Sequence, residues 1–303
     1  MKRCYALLIF LLLPYFIFAA LEVHFVDVGQ GDAIIINADG HFGVIDGGTA
    51  AQSRKLYSYL KDLNPAPLEL IVISHTDLDH IGGIGSTIEA AGISKNCTVW
   101  CNDPYSSSRQ FSSFKSKIEQ TKCKIVEPII GTVKMLGNAQ ITVLGPITKT
   151  GNKNQDSLTL RLDYKGKSFL FMGDADWLSE NRLINQYASS DTDWNNYKSD
   201  LLSADVLKVG HHGSTSSTSQ YFLRFVHPSI SIISVGANNR YGHPDEDALS
   251  RLIQSESEIY RTDIHGTIKI RVEDSGLMTV ITQKGNGPWM DESLLPSYIR
   301  NTN

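Results

Sequence analysis

The stretch SHTDLDHIGG, residues 74–83, decides the fold prediction for this chain. Its first residue, Ser74, ends the apolar run LELIVIS, residues 68–74, which is typical of a strand buried on both faces of a sheet. Four side chains able to bind metal lie in the stretch: His75, Asp77, Asp79 and His80. Placing them beside a core strand is costly without partners, and divalent ions bind deprotonated carboxylates and neutral imidazoles. The alternative is a polar helix cap with Asp79 at the N-cap position, but a cap needs only one acid.

Two later segments repeat the order of an apolar strand followed by metal-competent side chains. In FLFMGDAD, residues 169–176, Asp174 follows the strand, and one Asp between two ions can bridge them. In DVLKVGHHGSTSSTS, residues 205–219, one histidine of the pair His211 and His212 can bind metal while the other supports it. Taken alone, a turn aspartate or a histidine pair without a metal role explains each segment better. The recurrence at three places predicts one shared metal site.

Weaker signals flank these segments. In NNRYGHP, residues 238–244, Asn239 and His243 could orient a phosphate or supply a general acid, or they could equally form a turn. Near the start, VDVGQGD and IDGG contain Asp32 and Asp46 after short strands. Short acids in these positions suit support of metal ligands, although both could be plain turn residues.

Strand-like and helical patterns occur in both halves of the chain. Three short strands open it, and helices are expected at residues 53–63, 84–91, 109–120, 177–187, 218–226 and 245–254. Two mixed sheets packed face to face with helices outside would satisfy this order, giving an α/β fold built as a four-layer αββα sandwich. We expect one domain over residues 21–283. The tail, residues 284–303, is rich in Gly, Pro and polar residues and is expected to be loosely held.

Length and charge limit the possible functions. The 303 residues are enough to bury a sizeable core. A net charge of −4 without a long basic run argues against a protein that holds nucleic acid on a broad cationic surface. A nuclease is still possible, because bound metal ions can supply local positive charge.

Residues 1–20 have the layout of a secretory signal peptide, in which Lys2 and Arg3 precede an apolar run from Ala6 to Phe18. The run is short for a spanning helix, which needs about 20 apolar residues. The alternative is an uncleaved N-terminal anchor, because Phe18 fits an A-x-A cleavage pattern poorly. Either way we expect the folded part to be exported, periplasmic or secreted. No other apolar segment approaches membrane length, so no polytopic membrane region is expected.

Three cysteines follow this leader: Cys97, Cys101 and Cys123. In an oxidising compartment two of them could pair, with the third free or buried. A Cys₃ metal site is the alternative, but no His lies near the first two cysteines in the sequence. Structural cysteines are the better prediction.

Six motifs resemble the hydrolase domain of the competence protein ComEC, a branch of the metallo-β-lactamase superfamily. They are, in order, HFVDVGQGDAIII, VIDGG, SHTDLDHIGG, SLTLRLDYKGKSFLFMGDAD, LKVGHHGSTSSTS and NNRYGHP. The resemblance covers Leu21 to about Ile281. It implies the metallo-β-lactamase type of αββα sandwich, a metal-dependent hydrolase and DNA as substrate. The full ComEC channel also has a membrane region and an OB-like domain, so we expect this chain to resemble the stand-alone exported relatives.

The resemblance also implies how two metal ions would be held. The superfamily pattern HxHxDH assigns His75 and Asp77 to one ion, and Asp79 and His80 to the other. Asp174 would bridge the two ions, and His212 would complete the second site with His211 as its neighbour.

Two departures from the superfamily pattern bear on the identity of the metal. Position 77 is Asp rather than His, and the superfamily's third-motif His is replaced around Asn154, Asp156 and Ser157. Oxygen ligands favour harder ions, so Mn²⁺ or Mg²⁺ becomes a rival to Zn²⁺. The first site is also expected to be weak or only transiently filled.

The expected mechanism is metal-assisted hydrolysis of a phosphodiester. Asp79 or Asp174 would hold the attacking water, and His243 or Lys208 would stabilise charge on the phosphate or leaving group. Supporting or substrate-binding roles are expected for a further set of residues: His211, Asp46, Asp32, Ser157, Lys208, Ser214 and Asn239.

Three other functions stay open. A phosphodiesterase acting on envelope polymers or phosphocholine-type groups fits the exported location about as well. A lactonase or β-lactamase is less favoured, because the nitrogen-rich first site of those branches is missing. A non-catalytic accessory of DNA uptake would predict a basic groove, and the sequence has no basic cluster.

Overall fold

The computed structural model describes residues 20–188, 201–285 and 287–290. The predicted leader up to residue 19, the polar stretch 189–200 and residues 291–303 of the tail lie outside the described residues. Ala20, which the signal-peptide prediction assigns to the leader, begins the first strand and pairs with Glu273.

The first part of the chain, residues 20–126, forms six strands and four helices. The strands are β1 (Ala20–Phe25), β2 (Ile34–Ala38), β3 (His41–Ile45), β4 (Leu68–Ile73), β5 (Ile93–Cys101) and β6 (Lys124–Val126). The helices are α1 (Ser53–Asp62), α2 (Leu78–Ile81), α3 (Ile84–Ala91) and α4 (Arg109–Glu119). Helix α1 buries Leu56 and Leu60, four residues apart on one face, as an amphipathic helix does.

The described residues after position 126 form nine strands, four α-helices and a short 3₁₀ helix, Gly210–Gly213. The strands are β7 (Val133–Leu136), β8 (Ala139–Gly145), β9 (Thr159–Tyr164), β10 (Lys167–Phe171), β11 (Val206–Lys208), β12 (Ile230–Ile233), β13 (Glu258–Arg261), β14 (Ile268–Glu273) and β15 (Met278–Thr282). The helices are α5 (Trp177–Tyr187), α6 (Gln220–Val226), α7 (Glu246–Gln254) and α8 (Thr262–His265).

These strands form two sheets that pack face to face. The first sheet has the order β15-β14-β1-β2-β3-β4-β5-β6, and the second has the order β13-β12-β11-β10-β9-β8-β7. Between them lies a core in which Phe25 of the first sheet meets Phe171 of the second, with ring centroids 6.3 Å apart. Helices α1, α3 and α4 cover the outer face of the first sheet, and α5, α6 and α7 cover that of the second. The predicted four-layer αββα sandwich is confirmed.

The parallel parts of both sheets position the functional residues. Strands β3, β4 and β5 run parallel in the first sheet, and β10, β11, β12 and β13 run parallel in the second. Carboxyl ends of parallel strands meet at one edge of a sheet, where ligands bind in α/β folds. The three segments that follow β4, β10 and β11 therefore converge on one place.

Edge strands and the tail differ from the expectation. Strands β6 and β7 were not predicted, because each is a short sheet edge without a buried apolar run; Val133 and Met135 of β7 are exposed. The amide of Trp289 donates to the carbonyl oxygen of Ile259 at 2.7 Å, and the Arg261 guanidinium lies over the Trp289 ring. The expectation of a loosely held tail is therefore wrong for this part of it.

The three cysteines of the described chain are free thiols. Cys97 and Cys101 are buried in the cluster between the first sheet and its helices, as structural cysteines would be. Strands β5 and β6 bring Cys97 beside Cys123. No helix among residues 20–188, 201–285 and 287–290 has both the length and the apolar character needed to cross a membrane.

Candidate metal centre

The segment after β4 is held in place by Asp46, which follows β3. One oxygen of Asp46 accepts from the amide of Ser74 at 2.8 Å, and the other accepts from the Ser74 hydroxyl at 2.6 Å. The second oxygen also lies 2.8 Å from Nδ1 of His80. Asp46 thus orients the His80 ring, which is the supporting role predicted for it. Ser74, which sequence reasoning did not single out, completes this contact.

Two histidines present the same ring nitrogen to the centre. Nδ1 of His80 lies 2.8 Å from a carboxylate oxygen of Asp46, and Nδ1 of His212 lies 2.9 Å from the carbonyl oxygen of Ser234. Because a carbonyl oxygen only accepts, Nδ1 of His212 carries a proton, and its Nε2 is left free. An Nε2 lone pair with the opposite nitrogen held by an acceptor is the arrangement of a metal-ligating histidine.

Asp174 lies between the imidazoles, as a bridging ligand would. Its Oδ1 is 3.1 Å from Nε2 of His80 and 3.6 Å from Nε2 of His212. Its Oδ2 is 3.6 Å from Nε2 of His75 and 3.8 Å from Nε2 of His211. Each carboxylate oxygen therefore faces a different pair of histidines.

The residues present fit divalent metal ions. Nε2 of His75, Nε2 of His80, Nε2 of His212 and Oδ1 of Asp174 are buried and have no hydrogen-bond partner. Buried polar atoms are nearly always paired, so several unpaired atoms facing one point need a partner. Three groups of candidate ligands have all their ligand atoms within 4.8 Å of one another: His75, His80 and Asp174; Asp79, His80 and His212; and Asp32, Asp46 and His80.

The electrostatics of the cluster favour positive charge. Burial alone would lower the pKa of His80, but the carboxylates of Asp174 and Asp46 raise it well above its usual value. Burial also opposes the charge on His212, yet Asp174 and Asp32 raise its pKa to about 9. Conversely, burial would raise the pKa of Asp174, but the neighbouring imidazoles hold it well below its usual range. At neutral pH the centre therefore attracts cations, either protons or metal ions.

The first site is less complete than the second. His75 Nε2 is 3.8 Å from Oδ2 of Asp77, while the other oxygen of Asp77 accepts from the Lys153 ammonium at 2.7 Å. His211 faces the same oxygen of Asp174 as His75 does, and its Nε2 lies 3.3 Å from the amide nitrogen of Asn154. His211 can thus supply a nitrogen near the place where the superfamily's third-motif His is missing. Sequence reasoning assigned no role to Lys153.

The second site has a buried supporting pair. Lys208 is buried, and its ammonium lies 2.8 Å from Oδ2 of Asp32, whose other oxygen is 3.4 Å from Nδ1 of His212. The ammonium also donates to the carbonyl of Val209 at 2.8 Å. Lys208 acts on the site through Asp32, and the expectation that it stabilises charge on a phosphate is wrong because its ammonium is sealed in the core.

The turns that carry these residues adopt unusual backbone conformations. His211 and His212 have φ of 48° and 54°, a left-handed conformation that costs free energy for residues other than glycine. Gly31, with φ of 132°, lies so close to the segment after β4 that a Cβ there would stand 2.2 Å from the carbonyl oxygen of Asp79. This close approach explains the second glycine of VDVGQGD, Gly31.

The remaining predicted residues divide between contact with the centre and support of its loops. The Ser157 hydroxyl lies 3.4 Å from Nδ1 of His75 and accepts from the amide of Asp174. The Ser214 hydroxyl lies 3.0 Å from the Ser216 hydroxyl, which in turn lies 3.2 Å from Nδ1 of His211. Asn239 organises the turn before His243, with its side chain bonded to the backbone of Gly236, Tyr241 and His243. The turn interpretation therefore explains Asn239.

A cavity of about 190 Å³ opens onto the centre. Its walls include metal-competent residues and others that substrate would meet: Gln30, Asp77, Asp79, Asn154, Asp174, His211, His212, Tyr241 and His243. Burial lowers the pKa of His243, against the opposing effect of the Asp245 carboxylate. At neutral pH His243 is thus a neutral imidazole on the wall of the cavity, which suits hydrogen bonding to a substrate better than donation of a full positive charge.

Comparison with known proteins defines the class. Residues 26–95 match the family described as the metallo-beta-lactamase superfamily. The structure of the metallo-beta-lactamase fold protein YhfI from Bacillus subtilis superposes with a TM-score of 0.51 at 14% identity, over 87% of this chain and 100% of that one. Together with the two packed sheets, these matches show that the chain has the metallo-β-lactamase fold and that its residues 26–95 resemble the superfamily. This fold and the His/Asp clusters imply binding of divalent metal.

Within this class the chain resembles ComEC-like competence proteins. It is 29% identical to ComE operon protein 3 of Bacillus subtilis (strain 168), over 84% of this chain and 33% of that protein. It is 26% identical to competence protein ComA of Neisseria gonorrhoeae, over 83% of this chain and 32% of that protein. The chain thus spans about a third of the length of these curated relatives. The resemblance predicted from the six motifs is confirmed.

Proposed function

We propose that this chain is an exported metal-dependent phosphodiesterase that hydrolyses DNA. The observation that carries the proposal is the set of buried, unpaired ligand atoms that His75, His80, His212 and Asp174 direct at one point beside an open cavity. The fold supports a metal-dependent hydrolase, and the competence-related relatives support DNA, since competence is the uptake of DNA. Export rests on the layout of residues 1–20 alone.

Each part of the centre has a role in this proposal. Divalent ions held by the cluster would polarise the phosphodiester and make water a better nucleophile at neutral pH. Asp174 would hold both ions, and Asp79, which is a quarter exposed and faces His212, would orient the attacking water. His243 on the cavity wall would donate a hydrogen bond to a phosphoryl oxygen.

The ligand set supports a choice of metal that is broader than zinc. Asp77, Asp79 and Asp174 supply oxygen, which suits Mn²⁺ or Mg²⁺, whereas the imidazoles suit Zn²⁺. Since Lys153 pairs with Oδ1 of Asp77, its ammonium would compete with a bound ion for the negative charge of this carboxylate. We therefore propose that the first site binds its ion more weakly than the second.

The experiment is hydrolysis of linear DNA and of bis(p-nitrophenyl) phosphate by the purified chain with Mn²⁺, Mg²⁺, Zn²⁺ or a chelator. Cleavage of both substrates should require metal and should be lost in Asp174→Asn. The matched control is Asp205→Asn. Asp205 lies directly before β11, the strand that leads into the centre, and its carboxylate accepts from the amide and hydroxyl of Ser168. Cleavage that survives in Asp174→Asn would show a contaminating nuclease. Hydrolysis of the small ester without cleavage of DNA would instead indicate an envelope phosphodiester.

A further inference from the structure

A second cavity adjoins the metal centre. It has a volume of about 370 Å³ and shares Gln30, Asp79 and Tyr241 with the cavity over the metal ligands. This volume falls within the range of small-molecule sites, roughly 300–1,000 Å³. A substrate whose phosphate lies at the centre would extend into this cavity on one side of the scissile bond.

The walls of the second cavity combine apolar, aromatic and cationic groups. Leu78 and Tyr241 are 56% and 52% exposed on these walls, and neighbouring exposed apolar side chains can mark a ligand-binding groove. Arg240 lies over the Tyr241 ring at 4.8 Å from its centroid and donates to the Tyr241 hydroxyl at 2.7 Å. Guanidinium and ring thus form a layered pair on the cavity wall.

We propose that this cavity, termed the nucleoside subsite and defined by Leu78, Arg240 and Tyr241, binds the nucleoside next to the scissile phosphate. The inference rests on the proposed function and names the part of the substrate that the chain recognises. Nucleobases are planar and stack on aromatic rings and on guanidinium planes. The positive charge of Arg240 also suits the adjoining phosphodiester backbone.

The same geometry disfavours a phosphocholine group. Quaternary ammonium groups are recognised by open faces of aromatic rings. Here the Arg240 guanidinium lies over Tyr241, and the His243 ring stacks with Tyr241 at 5.9 Å between centroids. The guanidinium would repel choline, whereas a planar base would stack on it. The layered pair therefore favours DNA over a phosphocholine-type substrate, two classes that the sequence left open.

The test compares three esters that release the same p-nitrophenolate: thymidine 5′-(p-nitrophenyl phosphate), methyl p-nitrophenyl phosphate and p-nitrophenylphosphocholine. With Mn²⁺ present, kcat/KM should be highest for the nucleoside ester. Stacking of a base is worth about 1–3 kcal/mol, so Tyr241→Ala should lower the preference for the nucleoside ester over the methyl ester by about 5- to 160-fold. Tyr241→Phe should keep most of the preference, because it keeps the ring. Tyr221→Ala, which removes an exposed tyrosine from α6, is the matched control.

Binding of thymidine 5′-monophosphate to the Mn²⁺-loaded chain gives a readout that does not depend on turnover. We expect saturable binding that Tyr241→Ala weakens and that Tyr221→Ala does not change. Hydrolysis of all three esters without a preference that depends on Tyr241 would overturn the nucleoside subsite and leave the phosphodiesterase standing. A preference for the choline ester would also overturn it. Binding of the nucleotide through Tyr241 without any hydrolysis would support the subsite and contradict the proposed function.

Discussion

Asp46 shows how a residue that touches no substrate can govern the metal centre. Its carboxylate accepts from Ser74 twice and faces Nδ1 of His80, so the His80 ring has one orientation. The opposite nitrogen then points at Asp174. This role could not be distinguished from that of a turn aspartate by sequence alone, since IDGG suits both.

We expect Asp46→Asn to weaken metal binding by about 10- to 100-fold, the usual effect of losing a partner of a metal-ligating histidine. An amide cannot accept on both sides, so one contact with Ser74 or His80 is lost. Titration of Mn²⁺ or Zn²⁺ into the chelator-treated variant measures the effect. Asp205→Asn should bind metal as the unchanged chain does, and equal losses in both variants would contradict the assigned role.

Some residues of the centre were easier to predict from the sequence than Asp46, and others were harder. His75, Asp79, His80 and Asp174 follow strands whose apolar runs are unmistakable, so their convergence could be predicted. Lys153 could not, because its contact with Asp77 spans 76 positions of sequence and depends on how one loop folds over another. Arg240 was passed over for a similar reason, since only the structure places its guanidinium over Tyr241.

At the scale of elements, three helices hold the loop that carries His211 and His212. Glu180 of α5 is buried and accepts from the backbone amides of Thr218 and Ser219 where α6 begins. Arg251 of α7 donates to the carbonyls of Thr218 and Ser217. The loop is thereby fixed from both sides. Helices α5 and α7 were predicted from their apolar spacing, whereas this polar junction between them was not, because Glu180 reads as an ordinary helix-surface acid.

Burial raises the pKa of Glu180 from 4.5 to about 7, against the opposing effect of the backbone donors at Ser219 and Thr218. A carboxyl group whose pKa is higher in the folded state binds more protons there, so its contribution to stability is full below pH 4.5 and is lost as the pH rises through about 7. We predict that the free energy of unfolding falls between pH 5 and pH 8 relative to Glu180→Gln, which cannot titrate. Urea denaturation of both chains at the two pH values measures this difference. A rise in the free energy of unfolding of the unchanged chain relative to Glu180→Gln over the same interval would refute the prediction.

At the scale of the whole molecule, the metal centre joins the two halves of the sandwich. His75, Asp77, Asp79 and His80 follow β4 of the first sheet, while Asp174 and His212 follow β10 and β11 of the second. The layers and the order of most elements were predictable, because apolar periodicity reports buried faces directly. The short edge strands β6 and β7 were not, because an edge that buries little leaves no periodic pattern.

The central claim is that this junction binds divalent metal through Asp174. The most direct test is isothermal titration calorimetry of Mn²⁺ and of Zn²⁺ into the chelator-treated chain and into Asp174→Asn, with folding of both verified by circular dichroism. We predict saturable binding of two ions with unequal affinity in the unchanged chain, and loss of both sites or a large loss of affinity in Asp174→Asn. No saturable binding to the folded chain, or binding that Asp174→Asn leaves unchanged, would contradict the claim.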